Sequence, residues 1–285
     1  MTNTSKGNGA TERRTEAGES LEQHRWTAIR VERVAAASRV ALLTLDRPQR
    51  MNAWAYAMNE ELTVAIQAIN DDPSYGAMVL TGAGRAFCAG ADMQDTFNGG
   101  DRAPDMDRSE RPQSVDWVEL LRSSKPIIAA VNGASVGVGA TMILPCDVII
   151  AAESARFAMG FIKMGLVPEL ASSHFLVQRL GFGRASEMCL TGERYSAADA
   201  SAMGLVDHLV ADDALLERAT ELAGRMAANP SRQLRWAKEL LTINGSETDL
   251  KAVQRRELAR LDEAFASAEH KEAVAAFLEK RAPQF

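Results

Sequence analysis

The stretch SKPIIAAVNGASVGVGATMILPCDVIIAA, residues 124–152, contains the pattern that decides the fold. Its first part, 124–133, is predicted as a buried strand that ends in an Asn-Gly turn, and 146–159 is predicted as two further strands. Between them, the glycine-rich residues 132–142 follow a strand and open a helix. Strands that alternate with helices at this spacing are typical of an α/β chain with a largely parallel sheet.

The residues before this stretch continue the alternation. Strands are predicted at 27–33, 40–48 and 76–83, and apolar residues at helical spacing predict a helix over 55–72. Residues 1–24 are polar and rich in Gly, Ser, Thr and Glu, so they are predicted as a disordered leader without chemistry.

The residues after this stretch change to a helical pattern from about residue 183 onward. Amphipathic helices need a surface on which to bury their apolar side. We therefore predict that 211–285 is a helical region that packs on a neighbouring subunit, and that 25–210 is the core with the site. The charged, Gly- and Pro-rich segment 94–112 is long for a connection, which predicts a loop that is either functional or disordered.

Composition excludes several classes of function. The 285 residues are 46% hydrophobic and 25% charged, which is ordinary for a soluble globular protein. A net charge of −6 without a Lys/Arg stripe argues against nucleic acid as a partner. No signal-peptide pattern and no apolar run of membrane-spanning length is present, which predicts a cytoplasmic protein without a membrane partner. Cys88, Cys146 and Cys189 lack CxxC spacing, so they are predicted as packed thiols.

Three stretches with GxG spacing invite a nucleotide-binding interpretation, namely 81–87, 135–142 and 181–186. None completes the dinucleotide fingerprint or a P-loop. The glycines in 86–93 and 132–142 fit better as positions of close backbone approach. Two such loops side by side would aim two N–H groups at one oxygen, which is an oxyanion hole. The alternative is two tight turns whose glycines serve packing alone.

A single carboxylate, Glu169, stands in the apolar run KMGLVPELASSHF, residues 163–175. Two interpretations stay open at this point. Glu169 either stabilises the first turn of a helix that starts near Ala171, or it moves protons in a site. Apolar surroundings would raise the pKa of the carboxyl, which suits a general base.

Six ordered motifs carry a resemblance to a known family. They are LDRPQRMNAW (45–54), GRAFCAGADM (84–93), the stretch 124–152 quoted above, RFAMGFIKMGLVPELASS (156–173), LTGERYSAADASAMGLVDHLV (190–210) and FLEKRAPQF (277–285). From about residue 27 onward the chain thus resembles the enoyl-CoA hydratase/isomerase (crotonase) family. The resemblance implies a spiral core of ββα units with a C-terminal helical trimerisation region. It also implies an enzyme that binds acyl-CoA, stabilises an enolate at the thioester oxygen, and assembles as a homotrimer or a dimer of trimers. Coenzyme A is then part of the substrate, so the resemblance implies no other cofactor and no metal.

The resemblance also implies roles for individual residues. The backbone amides of Ala91 and Val138 would be the two donors of the oxyanion hole. Ala89, Gly90 and Asp92 would flank the adenine and pantetheine of CoA. Three C-terminal positions match residues that help to hold CoA, often from a neighbouring subunit: Phe265, Phe277 and Lys280.

The chain differs from typical hydratases of this family at two positions where those enzymes carry acidic residues. Those enzymes carry two glutamates, and the matching positions here are Thr141 and Phe161, neither of which can act as a carboxylate base. Glu169, directly after Pro168, matches instead a glutamate of peroxisomal-type Δ3,Δ2-enoyl-CoA isomerases. The resemblance therefore implies double-bond isomerisation with Glu169 as proton shuttle. Hydration of a trans-2-enoyl-CoA in fatty-acid oxidation is one alternative, and an acyl-CoA-binding subunit without turnover is another.

Overall fold

A computed structural model describes residues 20–94 and 115–285 of the chain. The strands are β1 (Ile29–Arg33), β2 (Val40–Leu45), β3 (Ala77–Gly82), β4 (Ala86–Cys88), β5 (Ile127–Val131), β6 (Ala134–Val136), β7 (Val148–Ala152), β8 (Arg156–Ala158), β9 (Arg194–Ser196) and β10 (His208–Val210). The α-helices are α1 (Tyr56–Asp71), α2 (Trp117–Ser123), α3 (Val138–Thr141), α4 (Ser172–Leu180), α5 (Phe182–Thr191), α6 (Ala197–Met203), α7 (Leu215–Ala227), α8 (Ser231–Asn244), α9 (Leu250–Ala266) and α10 (Ala268–Glu279). The predicted loop 94–112 lies, apart from Gln94, outside the described residues.

The strands form two sheets that the chain visits in turn. The larger sheet has the order β1-β2-β3-β5-β7-β10 and is parallel except for the antiparallel pair β1–β2. The smaller sheet has the order β4-β6-β8-β9, where only β8–β9 is antiparallel. The pairs β3/β4, β5/β6 and β7/β8 each place one strand in each sheet. The α/β class with a largely parallel sheet is therefore confirmed. Because the chain passes from the larger to the smaller sheet in each of these three pairs, the core follows a spiral course.

The Asn-Gly turn predicted after β5 is a corner between the two sheets. The Asn132 side-chain oxygen accepts a hydrogen bond from the Gly82 N–H at 3.2 Å, and its amide nitrogen donates to the Gly84 carbonyl at 2.9 Å. These two bonds tie the β5/β6 corner to the β3/β4 corner. The two strand pairs consequently turn from one sheet to the other at the same level.

Two apolar cores flank the larger sheet. One is formed with α1 and α2, and the other is covered by α7. Helix α7 buries a stripe of small and apolar side chains on the sheet, made of Leu215, Ala219, Ala223 and Ala227. This part of the predicted oligomerisation region thus belongs to the core of its own chain. Helices α8 to α10 instead pack on one another and on α2, and the boundary at 210/211 stays a prediction.

The predicted leader, residues 1–24, is described only from residue 20 onward, and its earlier part lies outside the described residues. The described end forms a turn. Glu22 accepts a hydrogen bond from the hydroxyl of Tyr75 and pairs with Arg33 at 3.3 Å. Because the hydroxyl of a buried tyrosine needs an acceptor, this contact fixes the turn on the core. The prediction of disorder is therefore wrong for the last residues of the leader.

The remaining predictions from composition can also be compared with the structure. Cys88 and Cys146 are buried, Cys189 is half-buried, and all three thiols are free, as predicted. No helix within the described ranges is long and apolar enough to cross a membrane.

A buried polar network around Asp147 joins the start of β5 to α2 and α8. One Asp147 carboxylate oxygen accepts from the Ile127 N–H and from Lys238 Nζ, both at 2.8 Å, and the other pairs with Arg122 at 3.3 Å. Lys238 is 4% exposed. Its burial lowers the pKa of the ammonium group, while Asp147 counteracts that shift. Asp147 is therefore the counter-ion that makes burial of Lys238 tolerable.

We expect Asp147→Ala to lower the free energy of unfolding by about 3–5 kcal/mol, because it leaves a buried cation unpaired. Urea unfolding measures the loss. The double variant Asp147→Ala/Lys238→Met should recover part of it, since the charge itself is gone. Asp213→Ala, at an exposed aspartate, is the control and should change stability by less than about 0.5 kcal/mol. Equal stability of Asp147→Ala and this control would contradict the prediction.

Candidate active site

The parallel pairing of β4 with β6 brings two loops to one edge of the smaller sheet. Cys88 at the end of β4 pairs with Ser135, and the carboxyl ends of parallel strands lie on the same side. Ala91 follows β4 by three residues, and Val138 follows β6 by two. A side chain at Gly139 would overlap the Cys88 carbonyl oxygen. The two loops therefore touch through their backbones.

The amide of Ala91 faces away from the chain segment that holds its loop. Trp54 forms a parallel bridge to Ala91, in which the Trp54 N–H donates to the Gly90 carbonyl at 2.8 Å and the Asp92 N–H donates to the Trp54 carbonyl at 2.9 Å. This pattern uses the neighbours of Ala91 and leaves its own N–H unused. Among the described residues it has no protein acceptor. Ala89, in the same loop, is half-buried.

The amide of Val138 is unpaired for a different reason. Val138 is the first residue of α3, and the first amides of a helix have no acceptor within the helix. Gly137 before it has φ 54° and ψ −122°, a conformation open to glycine. The Val138 N–H likewise lacks a protein acceptor in the part of the chain that the structure describes. Two unpaired amides on touching loops agree with the predicted oxyanion hole.

Asp92, predicted to flank CoA, is buried and bound within the protein. Its two oxygens accept from Arg47 Nη2 at 2.9 Å and from the Gln94 N–H at 3.1 Å. Burial opposes ionisation of Asp92, but the hydrogen bonds from Arg47 and the Gln94 N–H, together with the charges of Arg47 and Arg50, outweigh it, and the pKa of the carboxyl is lowered. The side chain thus shapes the turn after Ala91, and its contact with CoA stays a prediction.

Glu169 is linked to the same helix that begins at Val138. The hydroxyl of Thr141, at the last position of α3, donates to Glu169 Oε1 at 2.9 Å. Glu169 is exposed as a whole residue in the isolated chain, but its carboxyl lies against the fully buried Thr141. Burial raises the pKa of the Glu169 carboxyl, and the Thr141 hydrogen bond lowers it in part. The direction of this shift agrees with the predicted general base.

The alternative role of Glu169, as a stabiliser of the following helix, is not what the geometry shows. Helix α4 starts at Ser172, no side chain caps it, and its first turn has no acidic residue. Leu170 and Ala171 both have φ 52°, in the left-handed region. Each such residue costs about 1–2 kcal/mol, and strain of this kind is concentrated at functional sites. The strained pair turns the chain into α4 while the Glu169 carboxylate binds Thr141.

The C-terminal residues predicted to hold CoA lie on α9 and at the end of α10. Phe265 is 55% exposed and Phe277 is 81% exposed, and Lys280 is exposed as well. No hydrogen bond or ring contact among the described residues joins them to Glu169. Their delivery to the site by a neighbouring subunit stays a prediction.

Two further observations concern the surroundings of the site. Phe157 and Met159, apolar residues near Glu169 in sequence, are core residues, whereas Met164 is exposed. No group of three or more His, Cys, Asp or Glu side chains in residues 20–94 and 115–285 is placed to hold a metal ion.

Sequence reasoning missed three features of the site. Nothing in the sequence indicates the hydrogen bond between Thr141 and Glu169, because position 141 stands out only as one where typical hydratases of this family carry a glutamate. The ion pair of Arg47 with Asp92 is only weakly indicated by the sequence, in that both residues belong to motifs that carry the family resemblance. The left-handed pair after Glu169 was hidden because neither of its residues is glycine.

Comparison with known proteins places this geometry in a family. Residues 35–285 match the family model described as enoyl-CoA hydratase/isomerase. The 1,2-epoxyphenylacetyl-CoA isomerase of Escherichia coli K12 is 38% identical over 251 residues, which cover 86% of this chain and 94% of the relative. The 2,3-dehydroadipyl-CoA hydratase of the same organism is 37% identical over 254 residues, which cover 88% of this chain and 97% of the relative. The crystal structure of an enoyl-CoA hydratase from Polaromonas sp. JS666 superimposes with a TM-score of 0.81 at 31% identity. The match covers 90% of this chain and 99% of that structure.

The chain therefore belongs to the enoyl-CoA hydratase/isomerase family. The predicted crotonase-type fold with a C-terminal helical region is confirmed. The protein is an enzyme of the hydratase/isomerase class, whose members act on CoA thioesters.

We expect Gly139→Ala to reduce both stability and activity, because its methyl group would push the Val138 loop away from the Cys88 carbonyl. Gly183→Ala is the matched control, since a Cβ at Gly183 in α5 meets no atom within 4 Å. The control should be neutral or stabilising by up to about 1 kcal/mol. Thermal unfolding and turnover of acyl-CoA test both variants. Wild-type activity of Gly139→Ala would show that close contact of the loops is not needed.

Proposed function

We propose that this protein catalyses Δ3/Δ2 double-bond isomerisation of enoyl-CoA thioesters. Glu169 is the proton shuttle, and the amides of Ala91 and Val138 are the oxyanion hole. The observation that carries the proposal is the hydrogen bond between Thr141 and Glu169 at 2.9 Å. It ties a single carboxylate to the short helix whose first amide is a hole donor.

The proposed reaction needs one acid–base group. The Glu169 carboxylate takes a proton from C2 of a 3-enoyl-CoA, and the electron pair moves onto the thioester oxygen through a dienolate. The two amides stabilise the negative charge on that oxygen. Glu169 then returns the proton to C4, and the double bond lies between C2 and C3. Protons and electrons balance over the cycle, so the reaction consumes nothing besides the substrate.

The ionisation of Glu169 gives this proposal a pH dependence. The carboxyl must be ionised to act as a base, so kcat/KM falls as pH falls through its pKa. Because burial raises that pKa, the acid limb lies at higher pH than for an ordinary glutamate.

Hydration of a trans-2-enoyl-CoA is the second candidate. It is favoured by the names of relatives such as the 2,3-dehydroadipyl-CoA hydratase, and by the enoyl-CoA hydratase names of several others. In this chain Glu169 would have to activate the water alone, because Thr141 and Phe161 stand at the positions of the two hydratase glutamates. The third alternative, a subunit without turnover, is disfavoured because these relatives are named as enzymes.

The deciding assay offers the purified protein a 3-enoyl-CoA and a trans-2-enoyl-CoA separately. We expect the 3-enoyl substrate to be converted to the conjugated 2-enoyl thioester. Glu169→Gln should lower kcat by about 10²- to 10⁴-fold, the contribution of a positioned general base, while CoA binding is kept. Glu193→Gln, at an exposed glutamate, is the control and should turn over normally.

Two results of that assay would contradict the proposal. Consumption of the 2-enoyl substrate alone, with formation of a 3-hydroxyacyl-CoA, would establish the hydratase. Full turnover by Glu169→Gln would remove this residue from the mechanism.

We further propose that the enzyme assembles as a homotrimer or a dimer of trimers and uses no cofactor besides the CoA of its substrate. The exposed positions of Phe265, Phe277 and Lys280 support binding of CoA across a subunit interface. Size-exclusion chromatography with light scattering tests the assembly, and a monomer at working concentration would contradict it.

We expect Lys280→Gln to raise KM for acyl-CoA by about three- to tenfold, because a cationic contact to the CoA phosphates is lost. The value of kcat should change little, since binding far from the reacting atoms is equal in ground and transition states. Lys271→Gln, at an exposed lysine on the same helix, is the control. An equal KM for the two variants would exclude Lys280 from CoA binding.

A further inference from the structure

We propose that Thr141 is a positioning residue whose hydroxyl holds one oxygen of Glu169, so that the other oxygen exchanges the proton with the substrate. This inference rests on the proposed role of Glu169 as shuttle. It assigns a function to the position at which typical hydratases of this family carry a glutamate.

The geometry of the hydroxyl supports this role. Thr141 is fully buried, and its Oγ1 lies 2.9 Å from Glu169 Oε1 and 3.3 Å from the Val138 carbonyl oxygen. Glu169 Oε2 has no protein partner among the described residues. The carboxylate is thus anchored at one oxygen and open at the other, as a proton shuttle requires.

The Thr141 hydroxyl can keep its hydrogen bond to Oε1 in both protonation states of Glu169, because a carboxylate oxygen and the carbonyl oxygen of a carboxylic acid both accept. When Glu169 is ionised, Thr141 donates to the carboxylate. When Glu169 holds the proton on its other oxygen in mid-cycle, Oε1 is the carbonyl oxygen of the acid and still accepts from Thr141. A valine of the same shape cannot donate this bond, whereas a serine can.

The elements around Glu169 place no charged group on its carboxylate within the described part of the chain. The preceding turn carries Lys163, which is exposed, and α4 carries His174, which contacts the Ser246 hydroxyl at 3.4 Å. The Cys88 thiol on β4 points to the Gly90 carbonyl at 3.8 Å. Helix α3 has no titratable side chain. Burial and the Thr141 hydroxyl therefore act on the pKa of Glu169 in opposite directions, and removal of the hydroxyl leaves burial alone.

The test compares Thr141→Val with Thr141→Ser in the conversion of a 3-enoyl-CoA, as kcat/KM against pH. Thr141→Val should move the acid limb to higher pH, with about tenfold lower kcat/KM at a pH on that limb, because a bond to a charged group is lost. Thr141→Ser should keep the wild-type profile. A matched titration follows the carboxyl ¹³C resonance of Glu169 by NMR, assigned by its absence in Glu169→Gln, and should show the same upward shift without turnover.

Two outcomes would overturn the inference. One is a wild-type profile and titration for Thr141→Val. The other is an equal defect in Thr141→Ser and Thr141→Val, which would assign the effect to packing. Should Thr141→Val not fold, Thr141→Ala takes its place with the same expected results. Activity of Glu169→Gln would refute the proposed function separately, while the NMR titration would still decide whether Thr141 controls the ionisation of Glu169.

Discussion

The parallel pairing of two short strands, β4 and β6, is the constraint on which the site depends. Because Cys88 pairs with Ser135, both strands end at the same edge, and the loops after them meet. Gly139 permits the contact, since any side chain there would strike the Cys88 carbonyl. The proposed donors are main-chain amides, so the proposed oxyanion hole depends on the register of the strands and leaves the side chain at position 138 free to vary.

The four residues of α3 connect the proposed oxyanion hole to the proposed base, Glu169. The helix begins with the Val138 amide and ends with the Thr141 hydroxyl that binds Glu169. One short helix therefore fixes the Val138 amide, a proposed donor of the oxyanion hole, relative to the Glu169 carboxylate, the proposed proton shuttle. On the other side, the strained residues 170–171 set the direction in which the chain leaves Glu169. Preorganisation of this kind is the main source of electrostatic catalysis, because nothing has to reorient during the reaction.

Local patterns predicted the elements well, whereas contacts distant in sequence escaped them. Strand β5 and helix α1 followed from runs and periodicity of apolar residues, and the site was found because Glu169 is an acid in an apolar run. The Asn-Gly step predicted the turn after β5 but not that Asn132 joins two sheets, since which strands pair is decided by the tertiary fold. The fixed position of the described end of the leader, residues 20–24, depends on the contact of Glu22 with Tyr75, and the anchoring of Glu169 depends on Thr141. Neither partner can be identified from spacing along the chain.

The solitary position of Glu169 bears on which reaction the site favours. In a site with two carboxylates, the charge of one raises the pKa of the other. Here burial alone raises the pKa of Glu169, with no second carboxylate acting on it among the described residues. A double-bond shift needs no more, since the same proton is taken and returned. Hydration also needs a water molecule held beside the base, and a half-buried phenylalanine at position 161 offers it no hydrogen bond. The absence of both hydratase glutamates, together with the raised pKa of the single carboxylate Glu169, therefore favours the proposed isomerisation.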